Sequence, residues 1–251
     1  MENEEIFNRA ERLLGRQAMV ALSRTRVIIF GVGGVGSWTA EALARTGVGH
    51  LTIVDADRVA VSNINRQAEA DVTTVGQVKV EAMCRRLLQL SPGLDVEDVE
   101  MVYDAATADR FNLDEYDYVV DAIDSLSAKA LLIRNAAAAR HPVLFSSMGA
   151  ALKLDPTRVS VAEFWKVEGC PLAAALRRRF RKSGDFPRRK FKCVYSPELL
   201  ANRGVGCDSD MAMTFDKVAV NGSLCHITAI FGMTIAGLVV GDVVKKTSQD
   251  C

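Results

Sequence analysis

The chain is poor in several things that would point to common functions, and each shortage excludes something. Histidine occurs only at His50, His141 and His226, with no ligand spacing to one another or to cysteine, so a histidine metal centre is not expected. The six cysteines, at 84, 170, 193, 207, 225 and 251, form no C-x-x-C pair, which argues against a zinc ribbon and against a secreted disulfide framework. Reduced thiols and a cytoplasmic location are expected. Charge is balanced, 31 Lys+Arg against 31 Asp+Glu, so the molecule as a whole selects neither acidic nor basic partners. The acidic start, Met1 to Glu5, has neither the cationic nor the apolar region of a secretory signal. No repeat or low-complexity tract is visible.

What is present is ample apolar material, 49% of residues, enough for one large α/β domain spanning 1–251. From Val218 to Gly241 no side chain carries a formal charge apart from a protonated His226, a length close to a membrane span. Asn221, Ser223, His226 and several glycines interrupt it, so a buried C-terminal helix, within about 218–246, is the preferred reading over a membrane role.

Ordered along the chain, the patterns predict an amphipathic helix over Ile6–Leu22, a strand over Arg26–Phe30, a helix over Ser37–Arg45 and a strand over Leu51–Val54. A helix over Val75–Leu90, a strand over Val96–Val102 and a short helix over Ala106–Phe111 follow. Tyr118–Asp121 and Pro142–Ser146 then read as strands on either side of an alanine-rich helix, Leu126–Arg140. Strands alternating with helices predict a Rossmann-like, mostly parallel sheet with helices on both faces. After a strand over Arg158–Ala162, the stretch at about 165–203 is basic and irregular, an insertion around the sheet.

Gly31-Val-Gly33-Gly34-Val-Gly36 follows the first strand and opens a helix, the context in which glycines let backbone N–H groups approach a phosphate at a helix N-terminus. Asp55 ends the next strand about twenty residues on, where a carboxylate can accept ribose hydroxyls. NAD, FAD and ATP all use this fingerprint. The stretch around Asp57, Asn63, Arg66 and Gln67, with Lys79 beyond it, favours ATP, because expelling pyrophosphate calls for cations on the outer phosphates and hydride transfer does not. Asp121 and Asp124 lie at the carboxyl end of the fourth strand, where one of them can hold Mg²⁺ with phosphate oxygens; capping the next helix is the plainer role for such a pair.

Together these words, G-x-G-G-x-G, D-x-D-x-V-x-x-S-N-x-N-R-Q, G-x-x-K and D-A-x-D-S, resemble the adenylating domain of the ThiF/MoeB/ubiquitin-activating superfamily over about Arg9 to Met148. Within it, Ser147-Met-Gly-Ala, Leu154-Asp-Pro-Thr, Cys170-Pro-Leu-Ala and Val194-Tyr-Ser make the chain similar to the tRNA threonylcarbamoyladenosine dehydratases. The resemblance implies ATP with Mg²⁺, and ATP-dependent cyclisation of a threonylcarbamoyl adenosine beside the anticodon through an acyl-adenylate. It implies Gly31, Gly33, Gly34 and Gly36 around the nucleotide, Asp55 on the ribose, Asn63, Arg66 and Lys79 on the phosphates, and Asp124 on Mg²⁺, with Asp57, Gln67 and Asp121 also lining the site. Arg9 matches an arginine that relatives insert into a partner's site, implying a homodimer. Position 6 is Ile where relatives often carry a further basic residue. A cysteine desulfurase system and a ubiquitin-like carrier are the further partners the superfamily suggests. Cys225 and Cys207 are the nearest candidates for a late nucleophilic cysteine, although lone cysteines are more often buried hydrophobes, and Cys170 has an equally good structural reading.

Between 177 and 192 there are nine cations and one acid: Arg177, Arg178, Arg179, Arg181, Lys182, Arg188, Arg189, Lys190 and Lys192 against Asp185. Phe180, Phe186 and Phe191 are interleaved. Such a run can contact phosphates and stack on unpaired bases, the surface expected for tRNA; a solvated helix face is the competing reading. Three other functions share parts of the pattern: activation of a ubiquitin-like or sulfur-carrier protein at its terminal glycine, a non-catalytic nucleotide-binding adaptor for RNA or protein, and an NAD-dependent dehydrogenase.

Overall fold

A computed structural model describes residues 3–204 and 221–249. Seven strands form one sheet in the order β3-β2-β1-β4-β5-β7-β6, all parallel except β6. β1 (Arg26–Phe30) is central, β2 (His50–Val54) and β3 (Asp95–Val99) lie on one side, and β4 (Tyr118–Asp121) and β5 (Val143–Ser147) on the other. β7 (Lys192–Tyr195) pairs in parallel with β5, and β6 (Ser160–Glu163) closes that edge antiparallel. The order reverses at β1, so a crevice opens outside the carboxyl ends of β1 and β4, the place where such sheets bind ligands.

Alternation along β1 divides the core. Val27 and Ile29 point into a cluster with Leu43, Phe231 and Ile235, whereas Ile28 and Phe30 point into a second cluster with Ile133, Phe164 and Leu176. The first face is covered by α3 (Gly36–Thr46), α4 (Lys79–Leu90) and α7 (Cys225–Gln249), the second by α5 (Leu126–Ala138) and α6 (Pro171–Ser183). α3 ends where Gly47 takes the left-handed conformation, φ 93°, and its N–H caps the helix.

α7 is long and apolar enough to cross a membrane. Yet Ile227, Phe231, Ile235, Val239 and Val243, spaced one helical turn apart, are all buried, and Thr39 Oγ1 donates to the Gly232 carbonyl at 3.2 Å. A Cβ at Gly232 would stand 2.6 Å from the Val35 carbonyl oxygen, so glycine lets α7 press against α3. It packs as a core helix over 225–249, and residues 218–220 of the expected segment lie outside the described residues.

Several boundaries differ from expectation. The N-terminal segment is two helices, α1 (Asn3–Leu14) and α2 (Arg16–Arg24), broken at Gly15 with φ 81°, a conformation that ends an α-helix. α4 begins at Lys79 and not at Val75, because Gly76 has φ 85° and Arg58 and Val78 form an isolated bridge. The predicted short helix at 106–111 is a single 3-10 turn, Ala108–Arg110. The stretch read as irregular contains α6 and β7, so the basic segment supplies a strand of the sheet itself.

Candidate active site

The loop after β1 is shaped by glycine. Gly31 has φ 90°, and a Cβ there would lie 2.8 Å from the Ala122 carbonyl oxygen, so the loops leaving β1 and β4 touch at the switch point. A Cβ at Gly36 would stand 1.8 Å from the Gly31 carbonyl oxygen, and this closeness folds the turn onto the start of α3. Asp55 braces the turn from β2: its Oδ2 accepts the Val32 N–H at 2.7 Å and its Oδ1 accepts the Asp57 N–H at 2.8 Å. The remaining lone pairs of this half-buried carboxylate are left for hydroxyl donors.

Lys79 heads α4. Its Nζ lies 2.9 Å from Asp57 Oδ2, and its side chain is only 7% exposed while that of Asp57 is 74% exposed. Burial alone would lower the lysine's pKa, but Asp55, Asp57 and Glu69 outweigh it and hold the ammonium above its ordinary range, so it stays charged. The segment between these residues is pinned from both sides. The Arg66 carbonyl accepts Trp38 Nε1 at 3.0 Å and Thr228 Oγ1 at 3.3 Å, and Asn65 Nδ2 donates to the Ser223 carbonyl at 3.1 Å. The Arg66 guanidinium folds back on the Ser62 carbonyl and on Asn65 Oδ1, both at 2.8 Å. Asn63 is buried, and its Oδ1 accepts the Ala60 N–H at 3.0 Å, shaping the turn. Gln67 is buried too, its Nε2 being 3.8 Å from where a Gly33 Cβ would be. A Gly34 Cβ would meet Thr228 at 3.0 Å. Asp124 is exposed in the loop between β4 and α5.

One expected site residue falls elsewhere. Asp121 has no exposed surface: Lys129 Nζ lies 2.8 Å from its Oδ2, and Ser146 Oγ donates to the same oxygen at 2.6 Å. Burial pushes this carboxyl above the ordinary carboxylate range, with Lys129 and Ser146 pulling it back. A carboxylate so enclosed cannot line the crevice; Lys129 also donates to the Ile123 carbonyl at 3.0 Å, and the pair holds the loop bearing Asp124 from beneath. Arg9 is exposed on α1, which packs by Phe7 against Gly47, at the end of α3 remote from the glycine turn. The chain does not bring Arg9 to its own crevice.

The basic run also divides. Arg177 Nη1 donates to the carbonyls of Phe164 at 3.1 Å and Val167 at 2.9 Å. Arg189 donates to those of Ala136, Ala137, Arg140 and Pro142, at 3.0 to 3.4 Å. Arg177 is thus a half-buried clamp within the fold, whereas Arg189, although it binds carbonyls, keeps exposed surface. Phe180 and Phe191 are buried, so neither can stack on a base. Arg178, Arg179, Arg181, Lys182, Arg188, Arg189, Lys190 and Lys192 are exposed.

Among the cysteines, Cys170 and Cys193 are buried, and burial raises the Cys193 thiol pKa. Cys225 is exposed at the start of α7, and Cys207 lies outside the described residues. Among the described residues there is no cluster of three or more His, Cys, Asp or Glu side chains able to hold a metal ion.

Sequence reasoning passed over Glu69. It is 2% exposed, and neither carboxylate oxygen has a hydrogen-bond partner. Burial pushes its pKa from 4.5 up to about 7, with Lys79 counteracting. Because the folded pKa is raised, the stability owed to the neutral carboxyl is fully present below 4.5 and is lost as pH rises to about 7, a change on the order of 3 kcal/mol. Glu69→Gln should remove that slope and make the protein more stable than wild type above pH 7. Urea unfolding at a series of pH values checks this; parallel curves for both proteins would contradict it.

Doubly wound topology, a glycine turn at the switch point, an acid ending β2 and a charged lysine at the head of α4 define a nucleotide-binding α/β protein of the adenylating kind. The chain belongs to the ThiF family, whose sequence model matches residues 7–250. It is 35% identical over 243 residues to the tRNA threonylcarbamoyladenosine dehydratase of Bacillus subtilis, a match covering 95% of this chain and 94% of the relative. The crystal structure of the Escherichia coli tRNA N6-threonylcarbamoyladenosine dehydratase in complex with ATP has a TM-score of 0.86 at 32% identity, covering 99% of this chain and 97% of that one. A shorter match, 32% over 178 residues and 71% of this chain, is to the molybdopterin-synthase adenylyltransferase of Escherichia coli.

Proposed function

We propose that this protein is an ATP-dependent tRNA threonylcarbamoyladenosine dehydratase. The observation that carries the reading is similarity to such dehydratases along almost the whole of both chains, including the region after β5. The glycine turn fits a triphosphate: it leads into the head of α3, and Lys79 is held charged at the head of α4.

The carboxylate of the modified adenosine attacks the α-phosphorus of ATP, forming an acyl–oxygen–phosphorus bond while the bond to the β-phosphate breaks and pyrophosphate leaves. A nitrogen of the same side chain then attacks the acyl carbon, AMP departs with the carboxylate oxygen, and a ring closes with net loss of water. Lys79 and Arg66 offset the charge growing on pyrophosphate, which requires each to leave its present partner, Asp57 for Lys79 and the Ser62 carbonyl for Arg66. Asp55 orients the ribose, and Asn63, Gln67 and Asp57 shape the wall beside it.

An exposed carboxylate at the sheet's carboxyl edge suits Mg²⁺, which takes one or two carboxylates together with phosphate oxygens, so Asp124 is the residue that would hold it. When bound, Mg²⁺ supplies charge neutralisation on the phosphates. Arg9, remote from its own crevice, serves a second copy's site in a homodimer. The exposed cations of α6 and the segment after it contact tRNA phosphates, and the setting is cytoplasmic.

Asp124→Ala should abolish ATP–pyrophosphate exchange while leaving the protein folded; undiminished exchange would remove Asp124 from the site. The shorter molybdopterin-synthase adenylyltransferase match favours a second reading, activation of a carrier protein at its terminal glycine. Incubation with ATP and either threonylcarbamoyl tRNA or a carrier ending in Gly-Gly separates the two by which one stimulates AMP release. Stimulation by tRNA alone is expected; stimulation by the carrier alone would overturn the proposal.

A further inference from the structure

The second core cluster leaves two aromatic rings at the surface. Phe164 is fully buried and stacks on Phe191 at 5.0 Å, but its neighbour Trp165, held edge-on to Phe164 at 5.1 Å, is 38% exposed. Phe186, in the loop after α6, is 47% exposed, and its ring lies 5.9 Å from that of Trp165, tilted by 44°. The guanidinium of Arg181 sits 5.8 Å from the centre of the Trp165 ring. Two rings and a cation drawn from separate segments thus meet at one exposed spot, where burial alone would have turned the rings inward.

The surroundings are cationic. Residues 165–192 contain ten Lys and Arg against two acids, Glu168 and Asp185. Asp185 is occupied by Arg134, Nη1 to Oδ2 2.6 Å. Lys166, Arg178, Lys182 and Arg188 are exposed. Rings that stack flat bases, set among cations that hold phosphates, match single-stranded nucleic acid better than a protein surface.

We infer that Trp165 and Phe186, with Arg181, form a stacking platform for an unpaired base of RNA. The inference rests on the tRNA reading above and adds a position to it. In the sheet Lys192 pairs with Phe145 of β5 and with Glu163 of β6, so Trp165 lies beyond the amino end of β7, towards the opposite edge from the glycine turn. The stacked base is therefore remote from the nucleoside that reacts. Its contacts are the same in ground and transition states, so they govern binding of the RNA and leave the chemical step alone.

The test uses the full-length protein titrated with a tRNA transcript. The chain has two tryptophans, Trp38 and Trp165. Stacking predicts that tRNA quenches the wild-type fluorescence and that the quench from this site vanishes in Trp165→Phe. That variant should keep most of the affinity, whereas Trp165→Ala and Phe186→Ala should each weaken binding roughly tenfold. The dependence of log K on log salt should keep its slope in both alanine variants and become shallower in Arg188→Ala. With modified tRNA and ATP, KM should rise in the alanine variants while kcat holds. Wild-type affinity in both alanine variants, as expected if the rings serve a protein partner, would overturn the platform while leaving the tRNA reading in place. Wild-type protein that binds no tRNA would overturn both.

Discussion

Replacing Lys79 by Met should lower ATP–pyrophosphate exchange by about 10²- to 10³-fold, the usual consequence of removing one fixed charge from where a transition state gathers negative charge. The fold should survive. Lys79 contributes its Nζ to a single ion pair whose other member, Asp57, is 74% exposed and is hydrated when left alone. Its backbone N–H still donates to the Asp57 carbonyl, and its stem is replaced by apolar atoms of similar length. A variant with a normal unfolding curve and exchange near the wild-type rate would show that the buried ammonium serves only to seat α4.

Lys129→Met should do the reverse, unfolding the protein with no charged group lost from the crevice surface. It strands Asp121, which has no exposed surface, with Ser146 as its remaining side-chain donor. Breaking a fully buried pair on one side costs about 3–5 kcal/mol, and in a chain of this size that is roughly 10 °C in Tm. Exchange activity should fall as well where folded protein remains, since Lys129 also holds the Ile123 carbonyl next to Asp124. Combining Lys129→Met with Asp121→Asn removes both charges and should recover much of the loss. Thermal unfolding of the two single variants and the double variant decides it. Additive losses would mean that the two side chains do not act as a pair.

How far the sequence carries depends on the kind of signal. The parallel sheet was legible because short apolar runs alternate with helical periods, and the crevice because its glycines and the acid ending β2 stand at fixed spacing. The basic stretch was misjudged. Ten Lys and Arg between 165 and 192 masked the apolar spacing of Ala173, Leu176 and Phe180, which buries one face of α6, and Cys193 and Val194 proved to be a strand of the sheet. Charge counting could not show that Arg177 and Arg189 bind backbone carbonyls within the fold.

Within the site, Asp55 and Lys79 could be found because chain distance fixes their place on a βαβ unit. Asp121 was misplaced for a reason of two-fold periodicity. At the end of a strand, neighbouring residues point to opposite faces, and only the partner reveals which carboxylate turns inward. A lone lysine in the apolar run of α5 was the available signal for that partner. Glu69 carried no such signal, since its burial follows from how the loop between β2 and α4 packs.

Mass analysis of nucleosides from threonylcarbamoyl tRNA incubated with the protein and ATP tests the central claim most directly. The account predicts that the modified adenosine loses the mass of one water, with one AMP released per nucleoside converted, and that omission of ATP prevents it. An unchanged nucleoside under conditions where the protein adenylates another carboxylate would contradict it.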